Sequence, residues 1–385
     1  MAALSVAFWL LLSIVFYTYI GYALLLIWLK QSKSKHQNTS NTILPSLTIV
    51  IASYNEEAVL TDKIKNTLAL DYPAHKLEVI IITDGSTDTS TTILQRYPSV
   101  QALHLDERRG KAAAINRAMQ VVDTPIVVFS DANTILNRDC LLLLVKHFNA
   151  ERTGAVAGEK KVASYSGMGS AEGWYWQYES FLKRLDASFY SVVGAAGELF
   201  AMRTSLFASL PEDTILDDFA LSMQVCLKGY RIAYEPSAFA TEAPSASLEA
   251  EKQRKIRIAT GAFQALRRLP GKQLMAIKRL GFQFFSRRWL RWVVCPPALI
   301  ALFILNAVLA LSTGTLYEVI FIFHALFYGL AIIGWMHIRQ NKVSVLTTVP
   351  FYFLFMNYCM LVGLLHFWQR KGTVLWTKAE RLPAL

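Results

Sequence analysis

The stretch LTIVIASYNEE, residues 47–57, is a short run of β-branched and aliphatic residues that ends in a polar turn. LEVIIITDGSTD (77–88) repeats the arrangement, and residues 58–70 between the two have helical character. Strand, helix and strand at this spacing predict parallel strands joined by a crossover helix. The alternation continues through VQALHLD (100–106), a helix over 111–122, PIVVFSDANT (125–134) and a helix over 138–149. Strands that are apolar throughout belong to a sheet covered on both faces. The fold class is therefore α/β, with a Rossmann-like half. No G-x-G-x-x-G follows the first strand, which argues against a dinucleotide cofactor.

Outward from this domain the composition changes. Of 385 residues, 54% are hydrophobic, and the mean hydropathy is +0.32, too apolar for an ordinary soluble pair of domains. Residues 4–29 carry no charge and, at about 1.5 Å per residue, exceed the roughly 30 Å of bilayer hydrocarbon. Three further apolar stretches lie near 293–312, 316–336 and 344–367. The expected organisation is an N-terminal membrane helix (1–30), one α/β domain (46–245), amphipathic interface helices (246–292), C-terminal membrane helices (293–368) and a tail (369–385).

The formal charge of +11 gathers at Lys30, Lys33 and Lys35, and again over 254–291 with Arg267, Arg268, Arg287, Arg288 and Arg291. Basic clusters beside spans predict a cytoplasmic face against anionic lipid headgroups rather than a nucleic-acid surface. Spans beginning near 293 and 316 would leave Arg339 and Lys342 inside, but a third crossing would carry Arg370, Lys371, Lys378 and Arg381 outside. A re-entrant or interfacial element over 344–367, which contains Pro350, reconciles parity with charge. Cys140, Cys226, Cys295 and Cys359 lack C-x-x-C spacing and read as reduced structural thiols.

In open α/β sheets ligands bind beyond the carboxyl ends of the strands, and polar clusters stand there: Tyr54-Asn55-Glu56, Asp84-Gly85-Ser86 and Asp131-Ala132-Asn133. Asp84 suits a base or ribose edge, or an Asx turn with Asp88 capping the next helix. Asp131 and Asn133, two apart in an extended segment, offer oxygen ligands to Mg²⁺ or Mn²⁺ on one side. Gly110 and Lys111 open a helix whose free N–H groups suit phosphate or base. Asp217 and Asp218 begin another, where the helix dipole favours an ionised carboxylate able to act as a general base. Arg254 and Arg257 share a helix face and suit a diphosphate. Trp174 and Trp176 could serve as sugar platforms.

With these residues in view, the chain resembles the membrane-anchored glycosyltransferases of family 2, the group of hyaluronan, cellulose and poly-N-acetylglucosamine synthases. The matching motifs are SYNEE (53–57), TDGSTD (83–88), GKAAAIN (110–116), DAN (131–133), GAAGELFAMR (194–203), LDD (216–218) and RKIR (254–257). The resemblance implies a GT-A domain and an inverting transfer from a UDP-sugar, with Mg²⁺ or Mn²⁺, to a saccharide or lipid-linked acceptor at the cytoplasmic face of the cell membrane. It places Ser53, Tyr54, Glu56, Asp84, Ser86 and Lys111 at the uridine end, Asp131 on the metal, Asp218 as base and Gly197 in the acceptor pocket. VLWTKAER (374–381) resembles the family's gating segment, with Trp376 and Lys378 near the nucleotide. Asn133 replaces the second acid of D-x-D. Aligned on Arg257, the family's Q-x-x-R-W motif has Arg254 in place of Gln and Ile258 in place of the Trp that supports the acceptor. That departure bears on processivity rather than on donor use. The expected function is polysaccharide extension; the alternatives are transfer of one sugar to a lipid or short acceptor, or an inactive sugar-nucleotide-binding subunit of an export assembly. A homo-oligomer or export partner could complete a product channel.

Overall fold

A computed structural model of the chain describes residues 1–29, 44–163 and 168–369. Lys30, Lys33, Lys35, Trp376 and Lys378 lie outside them. The elements, in chain order, are α1 (Ala2–Trp28), β1 (Leu47–Ser53), α2 (Glu57–Leu68), β2 (Leu77–Asp84), α3 (Ser90–Gln95), β3 (Gln101–Leu105), α4 (Lys111–Met119), β4 (Ile126–Asp131), β5 (Thr134–Leu136), α5 (Cys140–Val145), β6 (Thr153–Val162), α6 (Met168–Phe189), β7 (Phe200–Arg203), α7 (Asp217–Leu227), β8 (Arg231–Glu242), α8 (Leu248–Arg268) and α9 (Gly271–Ala276). The chain then forms α10 (Lys278–Ser312), α11 (Thr315–Arg339) and α12 (Val345–Trp368).

The strands make one sheet in the order β3-β2-β1-β4-β7-β6-β8-β5. Its first four neighbours are parallel, and the far half mixes directions. Alternation across each strand sends Val50, Ile80, Ile82, Val127 and Phe129 into one core with α4 and α7. It sends Ile49, Ile51, Val79, Ile81 and Val128 into a second core with α2 and α5. Each fully buried aliphatic side chain contributes about 1.5–3 kcal/mol, so neither face can be left to water and the apolar strands follow.

The strand expected over 125–134 is interrupted. β4 stops at Asp131, Ala132 and Asn133 turn, and β5 leaves to pair with β8. Asp131 and Asn133 are therefore not two residues of one extended segment.

Among the described residues, four helices are long and apolar enough to cross a membrane: α1, α10, α11 and α12. Near one end Phe8 of α1 packs with Leu302, Leu309 and Tyr317; near the other, Tyr22 and Leu26 pack on Leu182 and Leu185 of α6. α12 is one unbroken helix that carries Pro350 inside its second turn, where the missing N–H removes one backbone bond. That form excludes a re-entrant loop. Instead α12 lies along α8: the Tyr352 hydroxyl donates to Glu251 Oε1 at 3.0 Å, Gly363 abuts Ala259 and Thr260, and Phe367 meets Phe263.

The arginines expected to face headgroups divide. Arg267 and Arg268 are exposed, with Arg268 bonded to Asp213. Arg287 is 1% exposed and bonds Asp186 and Glu179, Arg291 bonds Glu179, and Arg288 donates to the Val193 carbonyl. These three are internal connectors. Guanidinium groups bury well only when carboxylates or carbonyls meet them, and α6 supplies the carboxylates.

Candidate active site

The turns after β1 and β2 are knitted into one plate. Asn55 N–H donates to Ser86 Oγ (3.2 Å) and Thr87 N–H to Asn55 Oδ1 (2.8 Å). Asp88 accepts from the Glu57 and Ser90 N–H groups, and Glu57 accepts from Thr89. Asp88 thus caps two helices, as its position before α3 suggests. Gly85 adopts φ +66°, and a Cβ there would lie 2.6 Å from Arg108 Cβ. Only glycine admits this approach, which brings the Arg108 guanidinium 3.5 Å over the Tyr54 ring.

Asp84, fully buried, turns inward. It accepts from Gly110 N–H at 2.7 Å and Arg109 N–H at 3.3 Å, with Arg117 at 3.8 Å. The Asx-turn expectation for Asp84 therefore needs amendment. The carboxylate joins the end of β2 to the start of α4, and Ser86 is likewise engaged by Asn55. Ser53 Oγ is buried with no hydrogen-bond partner among the described residues.

Because Asp84 fixes Gly110, Lys111 points into the cleft. Its ammonium Nζ lies 2.7 Å from Asp131 Oδ1 and 3.3 Å from Asp217 Oδ2. Asp131, Asp217 and Asp218 together push Lys111 well above its ordinary range, against the opposing effect of burial. Gly197 closes the group: a Cβ on it would fall 3.4 Å from Asp218 Cβ and 3.5 Å from Lys111 Nζ. Asp131 from β4 and Asp217 from α7 therefore converge on one cation at the carboxyl edge of the sheet, with Asp218 beside them.

The two acids at the start of α7 differ. Burial first, then the like charge of Asp217, raises the Asp218 carboxyl to about 7, although Lys111 opposes. The helix dipole alone predicted a fully ionised group; desolvation outweighs it. A carboxyl near the operating pH is well matched to accepting a proton. Its Oδ1 also accepts the Phe219 N–H at 2.7 Å, which fixes its orientation.

Arg254 and Arg257 part company. Arg254 is held by Glu172 and Glu251, inside a buried network that includes Lys160, Glu198 and Glu242. Arg257 makes no hydrogen bond or ion pair among the described residues, and burial lowers its pKa while Asp217 opposes. Of the two, only Arg257 remains available to a ligand's phosphates. Trp176 is boxed by Lys160, Lys255 and Lys183 at 4.8, 5.5 and 5.6 Å, so its ring is engaged with cations. Trp174, two positions away on the helix, points elsewhere by helical geometry.

Asn133 donates to Glu242 Oε1 at 3.1 Å, so its amide is engaged away from Asp131. Among the described residues no three His, Cys, Asp or Glu side chains form a metal cage. The donor set still fits a divalent ion held by one or two carboxylates plus phosphate oxygens, since Asp131 and Asp217 already share the Lys111 cation. Two residues not singled out in the sequence also matter: Lys63 behind β4, outside every motif, and Glu198 within GAAGELFAMR, beside Gly197. A lysine inside a polar helical stretch gives no sequence signal of burial.

Residues 48–210 match the sequence profile described as glycosyl transferase family 2. The poly-β-1,6-N-acetyl-D-glucosamine synthase of Staphylococcus aureus is 28% identical over 252 residues, covering 62% of this chain and 60% of that protein. The enzyme of the same name from Staphylococcus epidermidis is 26% identical over 280 residues, covering 68% and 66%. Among solved structures, a mannosyltransferase from Pyrobaculum calidifontis, in complex with GDP-mannose and Mn²⁺, superposes with a TM-score of 0.72 at 22% identity, over 96% of this chain and 99% of that one. At that identity the likeness establishes the fold, a GT-A-like mixed α/β domain followed by long apolar helices.

Proposed function

We propose that this chain, whose residues 48–210 belong to glycosyl transferase family 2, transfers a sugar from a UDP-sugar to a growing cell-surface polysaccharide with inversion at the anomeric carbon. The observation that carries the reading is the convergence of Asp131 and Asp217 on the Lys111 ammonium, with Asp218 beside them and Gly197 opening onto Asp218. Asp218 takes the proton of the acceptor hydroxyl as that oxygen attacks the anomeric carbon. Arg257 meets the departing diphosphate, for which a guanidinium offers paired donors. The Tyr54 and Arg108 plate and the 84–110 junction frame the nucleoside end. Asp131, with Asp217 beside it, would hold Mg²⁺ or Mn²⁺, which supplies positive charge to the diphosphate leaving group.

The polymer reading draws on the named activity of the staphylococcal relatives, and N-acetylglucosamine is the first donor sugar to test. A second reading, transfer of one sugar to a lipid or short acceptor, is favoured by Ile258, which cannot stack on a sugar ring as the family's Trp does. Topologically, α1, α10 and α11 cross the membrane and α12 lies at its cytoplasmic interface along α8. The catalytic domain and the tail then share the cytoplasmic side, which agrees with the positive charge of Arg339, Lys342, Arg370 and Lys371.

Purified chain incubated with radiolabelled UDP-sugars checks both readings. UDP release with a ladder of long products supports polymerisation, and single-sugar products support the second reading. No UDP release from any common UDP-sugar would refute the proposal.

A further inference from the structure

Lys63 is completely buried, on α2, in a segment (TDKIKNTL) whose other polar residues suggest a solvated helix. Its ammonium reaches Ser130 Oγ at 2.7 Å, the Thr134 carbonyl at 3.0 Å and Thr134 Oγ1 at 3.2 Å. Ser130 and Thr134 flank the Asp131 turn on either side. Both hydroxyls have their own protons committed: Ser130 donates to the Glu198 carbonyl at 3.0 Å, and Thr134 to the Asp131 carbonyl at 2.9 Å. All three partners of Lys63 therefore act as acceptors, and three N–H donors meet them. The same helix grips β5 again one turn on, where Asn66 exchanges two hydrogen bonds with the Leu136 backbone at 2.8 and 2.9 Å.

We infer that Lys63 is a positioning residue that sets the Asp131 carboxylate and the Gly197–Glu198 turn at a fixed separation. One route runs from Lys63 through Thr134 to the backbone of Asp131. The other runs through Ser130 to the Glu198 carbonyl, next to the glycine that faces Asp218. The donor side and the acceptor side of the cleft thus hang on one ammonium, behind the sheet edge and out of reach of substrate. The inference rests on the reading of Asp131 as the residue that meets the metal–diphosphate. Outer-shell groups that orient a metal's protein ligand typically account for about 10–100-fold in metal affinity.

The test uses the full chain in detergent, with Mn²⁺ titrated in the presence of UDP and free Mn²⁺ followed by electron paramagnetic resonance. Lys63→Met is expected to weaken Mn²⁺ binding about 10–100-fold, and Ser130→Ala, a milder lesion, severalfold with a melting temperature near wild type. Thr67→Val is the structural control: Thr67 is buried on the same helix but donates only to the Lys63 carbonyl, so its loss should lower the melting temperature and leave Mn²⁺ affinity unchanged. If Lys63→Met fails to fold, Ser130→Ala carries the test alone. Wild-type Mn²⁺ affinity in Ser130→Ala, or in a folded Lys63→Met, overturns the inference. Mn²⁺–UDP binding that is absent in wild type, or undiminished in Asp131→Asn, overturns the underlying reading of the site and this inference with it.

Discussion

Replacing Asp218 by Asn should remove activity and, at the same time, stabilise the protein in a pH-dependent way. The folded-state carboxyl sits at about 7 against an ordinary 3.8, so folding disfavours its ionised form. For a carboxyl raised in this way the penalty is absent below about pH 4, grows as pH climbs towards 7 and is complete above. A shift of three units corresponds to a ceiling of about 4 kcal/mol. The side chain is half-buried, and solvent screening reduces the expected gain to about 2 kcal/mol. Asn keeps an oxygen for the Phe219 N–H and carries no charge. At pH 8 the variant should therefore melt roughly 4–8 °C higher, with about a third of that gain at pH 5, while UDP release falls about 10²- to 10⁴-fold. Thermal scans of the detergent-solubilised chain at both pH values, alongside UDP release, make the check. A variant that melts lower than wild type at pH 8, or gains equally at pH 5 and pH 8, refutes the account of Asp218.

Other outcomes follow from the same geometry. In wild type, kcat/KM for the donor should drop about tenfold per pH unit below 7; Asp217→Asn removes the like charge that raises Asp218, so the acid limb should move to lower pH, as a pH–rate profile would show. Arg257→Met should weaken UDP binding by about 1.5–3 kcal/mol, the range of a hydrogen bond to a charged group, measurable by calorimetric titration, with little change in melting temperature. Glu251 sits between Arg254, Lys255, Ser245 and Tyr352; Glu251→Leu strands the buried Lys255 and removes one of the carboxylates of Arg254, which keeps Glu172, and should cost about 3–5 kcal/mol, read as a lowered melting temperature. At Gly334 a Cβ would fall 2.1 Å from the Thr347 carbonyl oxygen, so Gly334→Ala must separate α11 from α12 and should lower the melting temperature, whereas Gly329→Ala, where a Cβ meets nothing within 4 Å, should not.

Local patterns in the chain carried the parallel strands, the crossover helices, the four apolar helices and the loops that carry the cleft. Periodicity and turn chemistry act over a few residues, and so they can be read without coordinates. Asp217 and Asp218 at a helix start, and Lys111 after Gly110, were legible for the same reason. What tertiary structure decided was partnership. Asp84 turns to backbone rather than outward, Lys111 settles among carboxylates, Arg254 enters a buried network and leaves Arg257 facing the cleft, and Arg287 and Arg291 bind carboxylates of α6. Each outcome depends on which charges lie within a few ångströms across the fold and on how much water is excluded from them. The same two quantities raise the pKa of Asp218 and permit a lysine in a polar helix, Lys63, to lie wholly buried beneath the sheet edge. Neither is a property of neighbouring residues in the chain, so no local pattern announces it.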